Sequence, residues 1–360
     1  MRILHFVTGG FSGATQVAID LCLAAGQDDA TEVLLVLRRK RNTAPERLQA
    51  LVAKGLTVQV VPGWSHLATI WALRRIAREW APDILVAHGF SEHLWGRYAG
   101  LLARVPHLVH VEHNARERYT RWRLAQARWL ARRTDAIVGV SEGVRRRLVE
   151  LGFPPERCLA IPNGIDLKRF PMAQWTPWAQ RENAIVMAAR FSRQKDHITL
   201  VEALAILAAD GVRPKLYLAG LGKKRVLEQV RHRVRELGLA EQVEFLGHVA
   251  DLPSLLMGKT VSVLSTHYEG FGLSMAEGMA AGCACIGSDV VGLRELISHE
   301  QDGLLVPEGD AEALARALRR VIESPEWARQ LGIAARQKAE RDCDLSLTQS
   351  RYMQLFRRLA

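Results

Sequence analysis

Short apolar runs alternate with stretches of helical period along the whole chain, in two successive series, and that alternation limits the fold more than any single motif does. The first series is Ile3–Val7, Val33–Leu37, Thr57–Val61, Ile84–Ala87, Leu108–Val111, Ala136–Val140 and Leu159–Ile161. The second is Ala184–Ala189, Lys215–Ala219, Val243–Phe245, Val261–Leu264, Ala284–Ile286 and Gly303–Val306. Between them Thr15–Ala25, Leu67–Trp80, His197–Ala209, Lys223–Leu237 and Ala311–Glu323 carry apolar residues at helical spacing. Runs that are apolar throughout are buried on both faces, as in a parallel sheet covered by its own crossover helices. The pattern predicts an α/β fold of two doubly wound, Rossmann-like domains. Ligands of such sheets bind outside the carboxyl ends of the strands.

A chain of 360 residues suits two domains of ordinary size. The best boundary is Pro162-Asn163-Gly164-Ile165-Asp166, running on through Pro171 and Pro177, where proline and glycine interrupt the periodicity. This gives a first domain over 1–165 and a second over 166–345. The last stretch, Leu345–Leu359, reads as a helix with Leu345, Leu347, Tyr352, Leu355, Phe356 and Leu359 apolar.

Several classes are excluded by what the chain lacks. No stretch reaches the roughly 18 to 20 apolar residues of a membrane span. The opening run Met1–Val7 is too short for a signal peptide and leads into glycines, so a cytoplasmic protein is expected. The five cysteines, Cys22, Cys158, Cys283, Cys285 and Cys343, are widely spaced, and no C-x-x-C occurs. A disulfide framework or structural zinc site is not expected, and Cys283 and Cys285 read as core. Residues 1–180 hold 25 Lys+Arg against 15 Asp+Glu, whereas 181–360 hold 24 against 23. A basic half points to a polyanionic neighbour: anionic lipid, nucleic acid or a phosphorylated acceptor. A solvated basic face without a partner is the plainer alternative.

Four segments carry chemistry. Tyr268-Glu269-Gly270-Phe271-Gly272-Leu273-Ser274-Met275-Ala276-Glu277 follows an apolar run and precedes a helix of roughly Leu273–Ala281. Its glycines let backbone N–H groups approach a ligand at a helix N-terminus, where anions bind well. Glu269 falls in the loop and Glu277 about one turn inside the helix, a pair suited to sugar and ribose hydroxyls. Arg190 and Lys195, in Ala189-Arg190-Phe191-Ser192-Arg193-Gln194-Lys195-Asp196, project from the loop after another run and suit a diphosphate. Gly9-Gly10-Phe11-Ser12-Gly13-Ala14 makes a glycine turn after the first run, although with Thr8 in front it does not satisfy G-x-G-x-x-G. His88, and His110-Val111-Glu112-His113-Asn114, fall at the ends of two further runs.

Taken together, several segments resemble glycosyltransferase family 4, the large group of retaining GT-B enzymes. They are Ile161-Pro162-Asn163-Gly164-Ile165-Asp166, Arg190 with Lys195, Phe245-Leu246-Gly247-His248-Val249, Glu269 through Glu277, Ala280-Ala281-Gly282 and Asp302-Gly303-Leu304-Leu305-Val306-Pro307. The resemblance covers nearly the whole chain. It implies a GT-B fold: two Rossmann-like domains facing across a cleft, with residues 346–360 crossing back to the first. It implies a retaining, metal-independent hexosyltransferase that needs no cofactor beyond its nucleoside-diphosphate sugar donor. By the same resemblance, Arg190 and Lys195 hold the donor diphosphate, and Glu277 binds the ribose. Glu269 and the amides of Gly270, Phe271, Gly272 and Leu273 hold the donor sugar, and Gly247 and Val249 border the nucleobase. Gly10 and Gly13 lie beneath the diphosphate. His113 is the active-site histidine, so His113, Glu269, Arg190 and Lys195 form the catalytic set, with His88 and Asn114 on the acceptor side. The family often has glycine where this chain has Ala189 and Asp196, and Asp196 is expected to weaken or redirect the diphosphate contact.

Other readings stay open at this level. A metal-dependent transferase needs a D-x-D, and the one present, Asp342-Cys343-Asp344, falls in a late helical region and reads as surface. A nucleotide-sugar epimerase of the same fold, or a scaffold without transfer activity, fits the pattern too. No motif for direct nucleic-acid binding appears. The acceptor side carries one more signal. Trp64–Trp80 sets Trp64, Leu67, Ile70, Trp71, Leu73 and Ile76 beside Arg74, Arg75 and Arg78, and Arg116–Arg133 sets seven arginines among Tyr119, Trp122, Trp129 and Leu130. Basic helices with tryptophans suit an anionic membrane surface, as for a peripheral enzyme acting on a lipid-linked or lipopolysaccharide saccharide. The alternative is that these tryptophans pack inward.

Overall fold

A computed structural model describes every residue except Gln27, Asn42, Phe90, Glu117 and Arg118, the last being one of the arginines of the basic run. The chain divides into two compact units, Met1–Asn163 with Ser346–Ala360, and Gly164–Leu345. The division falls after Asn163, not after Ile165. Ile165 donates its N–H to Cys343 O (2.8 Å) and accepts from Leu345 N (3.0 Å), so it is paired into the second unit. A Cβ on Gly164 would lie 2.6 Å from Leu345 Cα, which is why glycine stands at that crossing.

The first unit is a seven-stranded sheet in the order β3-β2-β1-β4-β5-β6-β7. Its elements are β1 (Arg2–Thr8), α1 (Gly13–Ala25), β2 (Glu32–Arg38), α2 (Pro45–Ala53), β3 (Thr57–Val61), α3 (His66–Trp80), β4 (Ile84–His88), α4 (Glu92–Ala103), β5 (His107–Glu112), α5 (Arg121–Ala131), β6 (Ala136–Gly139), α6 (Glu142–Glu150) and β7 (Cys158–Ala160). Every pairing is parallel. Because side chains alternate across a strand, Leu4, Phe6, Leu85, Ala87 and Leu108 pack with Leu73, Ile76 and Ala99 of α3 and α4 on one face. Val7, Leu35 and Leu37 pack with Ala18, Ile19, Cys22 and Leu51 of α1 and α2 on the other. The strand order reverses between β1 and β4, the switch point where such sheets open to ligands.

The second unit is a six-stranded parallel sheet in the order β10-β9-β8-β11-β12-β13. It runs β8 (Glu182–Ala188), α7 (His197–Ala209), β9 (Lys215–Ala219), α8 (Lys224–Glu236), β10 (Val243–Gly247), α9 (Leu252–Met257), β11 (Lys259–Leu264), α10 (Leu273–Ala280), β12 (Ala284–Ser288), α11 (Val291–Leu296), β13 (Leu304–Val306), α12 (Ala311–Glu323) and α13 (Pro325–Asp342). Two buried arginines fix α10 from its C-terminal end, where carbonyls lack intrahelical partners and the helix dipole favours a cation. Arg336 NH1 donates to Ala280 O (2.6 Å) and Phe170 O (2.8 Å). Arg181 donates to Ala281 O (3.0 Å), Gly282 O (3.2 Å) and Thr176 O (3.1 Å).

The closing helix, α14 (Leu345–Leu359), contributes Ser346 onward to the first unit. Thr348 Oγ1 donates to Pro162 O (2.8 Å), Gln349 Nε2 to Asp20 O (3.2 Å), and Arg357 pairs with Asp28 (2.9 Å). The five cysteines are free, buried thiols, so both cores stand without crosslinks. The D-x-D is accounted for locally: Asp342 ends α13 and pairs with Arg341 (2.9 Å), and Asp344 bridges Ile165.

The basic helices divide their apolar residues between core and surface. Ile70, Leu73 and Ile76 are buried, but Trp64 (84% exposed), Leu67 (68%), Trp71 (56%), Leu102 (47%), Trp122 (74%) and Trp129 (45%) face water. Four stacked rings join the three helices: His66 on Trp95 (4.3 Å between centroids), Trp95 near Tyr98 (6.5 Å), and Tyr98 near Trp129 (6.1 Å). Arg74 lies over Trp71 (4.7 Å) and Arg133 over Trp129 (3.9 Å). α3, α4 and α5 therefore share one aromatic, cationic face. Among the described residues no helix is long and apolar enough to cross a membrane.

Candidate functional site

The carboxyl edge of the second sheet is built by loops that are tied to one another. After β8, Ala189 and Phe191 continue a backbone ladder against the loop after β9: Ala189 N–Ala219 O is 2.9 Å and Phe191 N–Leu221 O is 3.0 Å. The approach is so close that a Cβ on Gly220 would lie 2.1 Å from Ala189 O and one on Gly222 2.3 Å from Phe191 O. Gly220 N in turn donates to Gly247 O (2.7 Å), bringing the loop of Gly247 and Val249 to the same edge. On the other side Gln194 O accepts from His267 N (2.9 Å), and Gln194 Nε2 donates to Tyr268 O (2.7 Å).

That stitching sets Lys195 in an ion pair with the buried Glu269, whose Oε1 also lies 3.0 Å from Thr266 Oγ1. The sequence places the two in separate roles, on diphosphate and on sugar; the structure joins them. A lysine ammonium has three donors, so the pair leaves Lys195 able to hold an anion as well. Arg190 is exposed, and among the described residues nothing pairs with it. Asp196 does not reach toward this edge as an acid competing for the cations. Its backbone is left-handed (φ 32°), the conformation glycine adopts without strain, and its carboxylate caps α7, receiving Thr199 Oγ1 at 2.6 Å. It thus takes the place of glycine while supplying a cap.

Gly272 begins α10 in the left-handed region (φ 97°). The first two amides of the helix, Leu273 and Ser274, have no intrahelical acceptor, whereas Met275 and Ala276 donate to Gly272 O (2.9 and 3.1 Å). Anions and sugar hydroxyls are the natural partners of such amides. Glu277, one turn in, is largely buried, with Arg169 NH1 3.6 Å away. Burial pushes its carboxyl above the ordinary range, and Arg169 opposes the shift. A neighbour that the sequence reading missed holds the loop in place. A Cβ on Gly292 of α11 would lie 2.8 Å from Gly270 C and Phe271 N, and Leu293 fills the space beside Gly272. The only sequence signal for Gly292 was a glycine inside a short helix, which is ambiguous alone. Arg169 was missed as well, because it lies far from Glu277 in the chain.

On the first unit, the carboxyl edge gathers the glycine turn and a set of histidines. Gly10 and Gly13 flank Phe11 (φ 49°) between β1 and α1. A Cβ on Gly89 would stand 3.9 Å from both Ala14 Cβ and His113 Cδ2, so the turn, the end of β4 and His113 meet. His113 and Asn114 donate their N–H groups to Glu112 Oε1 at 2.8 and 3.3 Å. His88 Nδ1 lies 3.2 Å from His113 Nε2, and His88 Nε2 lies 3.0 Å from His5 Nδ1. His5, in the middle of β1, was read only as part of an apolar run; its polarity within that run was the available signal.

A second cluster lies on the opposite sheet face. His93, His110 and Glu112 offer ligand atoms within 4.8 Å of one another. The His93 and His110 rings stack face to face (4.1 Å), and both ring nitrogens of His93 are engaged. Arg97, fully buried, donates to His93 Nδ1 (2.6 Å), and His93 Nε2 lies 3.0 Å from Tyr119 OH. Since arginine can only donate, His93 carries its proton on Nε2.

Two adjoining stretches match family patterns: residues 11–169 match Glycosyltransferase Family 4, and residues 172–338 match Glycosyl transferases group 1. Among curated relatives, glycogen synthase of Mycobacterium tuberculosis is 30% identical over 284 residues, 74% of this chain and 66% of that protein. The chain thus spans just under two thirds of that relative's length. UDP-Gal:alpha-D-GlcNAc-diphosphoundecaprenol alpha-1,3-galactosyltransferase of Escherichia coli is 25% identical, over 71% of this chain and 70% of that protein. Among solved structures, Anabaena Alr3699/HepE in complex with UDP-glucose superposes with a TM-score of 0.87 at 22% identity, covering 99% of both chains. At that identity the likeness establishes the GT-B architecture.

The histidines give the first unit a pH signature. Burial lowers His5 and His113 to about 3 and holds His88, His93 and His110 well below the ordinary value. Unfolded histidines titrate near 6.5. Below that pH the unfolded chain binds protons that the folded chain refuses, so stability falls as pH falls, by about 1.4 kcal/mol per pH unit for each histidine. Urea denaturation should show a sharp drop in midpoint between pH 7.0 and 5.5. A midpoint unchanged over that range would contradict the neutral, buried assignment.

Proposed function

The chain belongs to glycosyltransferase family 4, and from that premise we propose that it moves a hexose-type sugar from a nucleoside-diphosphate donor to a hydroxyl of a glycan or glycolipid acceptor. We place it in cell-envelope polysaccharide or lipopolysaccharide synthesis. One observation carries the reading: Arg190, the Lys195–Glu269 pair, the open amides of α10 and Glu277 share the carboxyl edge of one sheet. That edge offers cations and amides for a diphosphate, and carboxylates for hydroxyls. HepE is in complex with UDP-glucose, and the Escherichia coli galactosyltransferase is named for UDP-Gal, which favours a UDP-sugar here.

In this reading Arg190 and Lys195 hold the diphosphate, and Glu277 takes the ribose hydroxyls. Glu269 and the amides of Gly270 through Leu273 take the sugar, while Gly247 and Val249 border the base. Gly10 and Gly13 approach the diphosphate, His113 serves the transferred sugar, and Asn114 serves the acceptor; His88, expected on the acceptor side, is instead fully buried with both ring nitrogens on His5 and His113, and so acts only through His113. Transfer proceeds on the front face. The bond between anomeric carbon and diphosphate oxygen breaks, the departing oxygen takes the proton of the acceptor hydroxyl, and the new glycosidic bond forms on the same side. Configuration is retained. Negative charge growing on the diphosphate is met by fixed cations already in place, so they do the work that a divalent metal does in other transferases.

The aromatic, cationic face of α3, α4 and α5 supports a lipid-linked acceptor. We assign it to an anionic bilayer, with the tryptophans at the headgroup boundary and the arginines on the lipid phosphates. The enzyme then works at the cytoplasmic face of the membrane. The acceptor named for the Escherichia coli relative, a sugar on diphosphoundecaprenol, is of this kind.

Purified protein given UDP-hexoses and a lipid-linked saccharide fraction should release UDP and form an α-linked product from an α-linked donor, read by the H-1 coupling in proton NMR. Arg190→Ala and Lys195→Ala should each lower kcat about 100-fold or more, as for loss of one preorganised charge-stabilising group. A β-linked product contradicts retention, and conversion of the donor sugar without any acceptor replaces the transferase by an epimerase. For the surface, the protein should sediment with phosphatidylglycerol vesicles at low salt, and Trp71→Ser with Trp122→Ser and Trp129→Ser should stay in the supernatant. Wild-type protein that remains in the supernatant removes the membrane assignment.

A further inference from the structure

Three histidines climb one face of the first sheet in a regular staircase. β4 lies between β1 and β5. His5 of β1 pairs in register with Val86, so His88, two residues on, faces the same side. His88 pairs with Val111, so His113, again two residues on, faces that side too. Each step crosses one strand and advances two residues toward the carboxyl edge. The rings lie nearly parallel, 29° and 25° apart, and their nitrogens meet: His5 Nδ1 with His88 Nε2 at 3.0 Å, His88 Nδ1 with His113 Nε2 at 3.2 Å. His5 and His88 are fully enclosed, whereas His113 is half-buried at the top.

Burial keeps all three neutral at ordinary pH. A neutral imidazole carries one N–H and one lone pair. With both ring-to-ring hydrogen bonds made, only two proton arrangements exist. Either every ring carries its proton on Nε2, with donation running inward from His113 to His5, or every ring carries it on Nδ1, with donation running outward. The inward arrangement strands an N–H on His5 Nε2, a buried atom with no hydrogen-bond partner. Orphaned buried N–H groups are the rarest of unsatisfied polar groups. The outward arrangement leaves only a lone pair there, and it delivers an N–H at His113 Nδ1, at the open end beside the glycine turn.

We propose that His5 and His88 are positioning residues that lock His113 in its Nδ1–H tautomer, so that His113 meets a substrate oxygen as a hydrogen-bond donor and not as a base. The role rests on the reading of His113 as a residue that faces the transferred sugar. It has a chemical consequence for that reading. A His113 whose Nε2 lone pair is held by His88 has no accessible lone pair with which to take the acceptor proton, which leaves that proton to the departing diphosphate. His5 touches no substrate; it acts by fixing the direction of the chain.

The tautomer is directly measurable. Protein labelled with 15N histidine, examined by long-range proton–nitrogen correlation at pH 7.5, should show His113 protonated on Nδ1 and bare on Nε2, its signals assigned by their loss in His113→Gln. A His113 protonated on Nε2 in the wild type overturns the proposal, whatever the variants do. His88→Phe removes the donor to His113 Nε2 and should shift His113 toward the Nε2–H form with about a tenfold loss of turnover. His88→Asn, whose amide can donate from nearly the Nδ1 position, should restore both the tautomer and most of the turnover. If His88→Phe lowers turnover but leaves the tautomer unchanged, the positioning role falls and a packing role replaces it. Full turnover in His113→Ala would instead sink the sugar-facing assignment of His113, an outcome the NMR result does not share.

Discussion

Buried parallel strands must satisfy every backbone donor and acceptor within the sheet, and both faces must be covered by helices. This constraint governs where the chain can place chemistry. Most side chains in the body of each sheet are apolar and enclosed, the histidines of β1, β4 and β5 being the exception, so most polar function is driven to the loops beyond the carboxyl ends. In the second unit those loops are hydrogen-bonded to one another from Gly247 through Gly220 and Ala189, and from Gln194 to Tyr268. A site made of loops therefore gains the rigidity of the sheet beneath it, and Arg181 and Arg336 anchor the far end of the helix that carries Glu277.

The two edges solve different electrostatic problems. The second presents cations and unpaired amides, with one of its carboxylates already paired to Lys195, which suits an incoming diphosphate. The first presents imidazoles stripped of charge by burial. Neutral rings recognise hydroxyls through direction and not through field, and direction is what the staircase of His5, His88 and His113 controls. Arg97 plays the matching part on the opposite face, where its obligatory donation sets the tautomer of His93.

Much of this was legible in the sequence. The apolar runs correspond to the strands of both sheets to within a few residues at their ends, because a strand buried on both faces leaves an unmistakable run of Val, Ile, Leu and Ala. The loops carrying Arg190, Lys195, Glu269 and Glu277 were legible because glycine, charge and a following helix coincide in each. Contacts between residues distant in the chain were not. Nothing local ties Lys195 to Glu269, Arg169 to Glu277, Gly292 to Gly270, or His5 to His88; each depends on strand order and register. Asp196 shows the same limit. Its type was visible, but its left-handed backbone and its cap on α7 were not. The tryptophans could be read either inward or outward, since periodicity places Ile70 and Leu73 in the core without saying where Trp64 and Trp122 turn.

A donor-nucleotide site at the carboxyl edge of the second sheet must bind a nucleoside diphosphate on its own. Isothermal titration of the purified chain with UDP and with GDP tests it most directly, with Glu277→Gln and Lys195→Ala beside the wild type. Saturable, one-to-one binding of a nucleoside diphosphate is expected, UDP before GDP. At least a tenfold loss of affinity is expected in each variant, since a hydrogen bond to a charged group contributes about 1.5–3 kcal/mol. Glu277→Gln should keep or raise the melting temperature, because it removes a carboxylate that burial disfavours. Wild-type affinity in both variants, or no binding of either nucleotide by folded protein, would contradict the account.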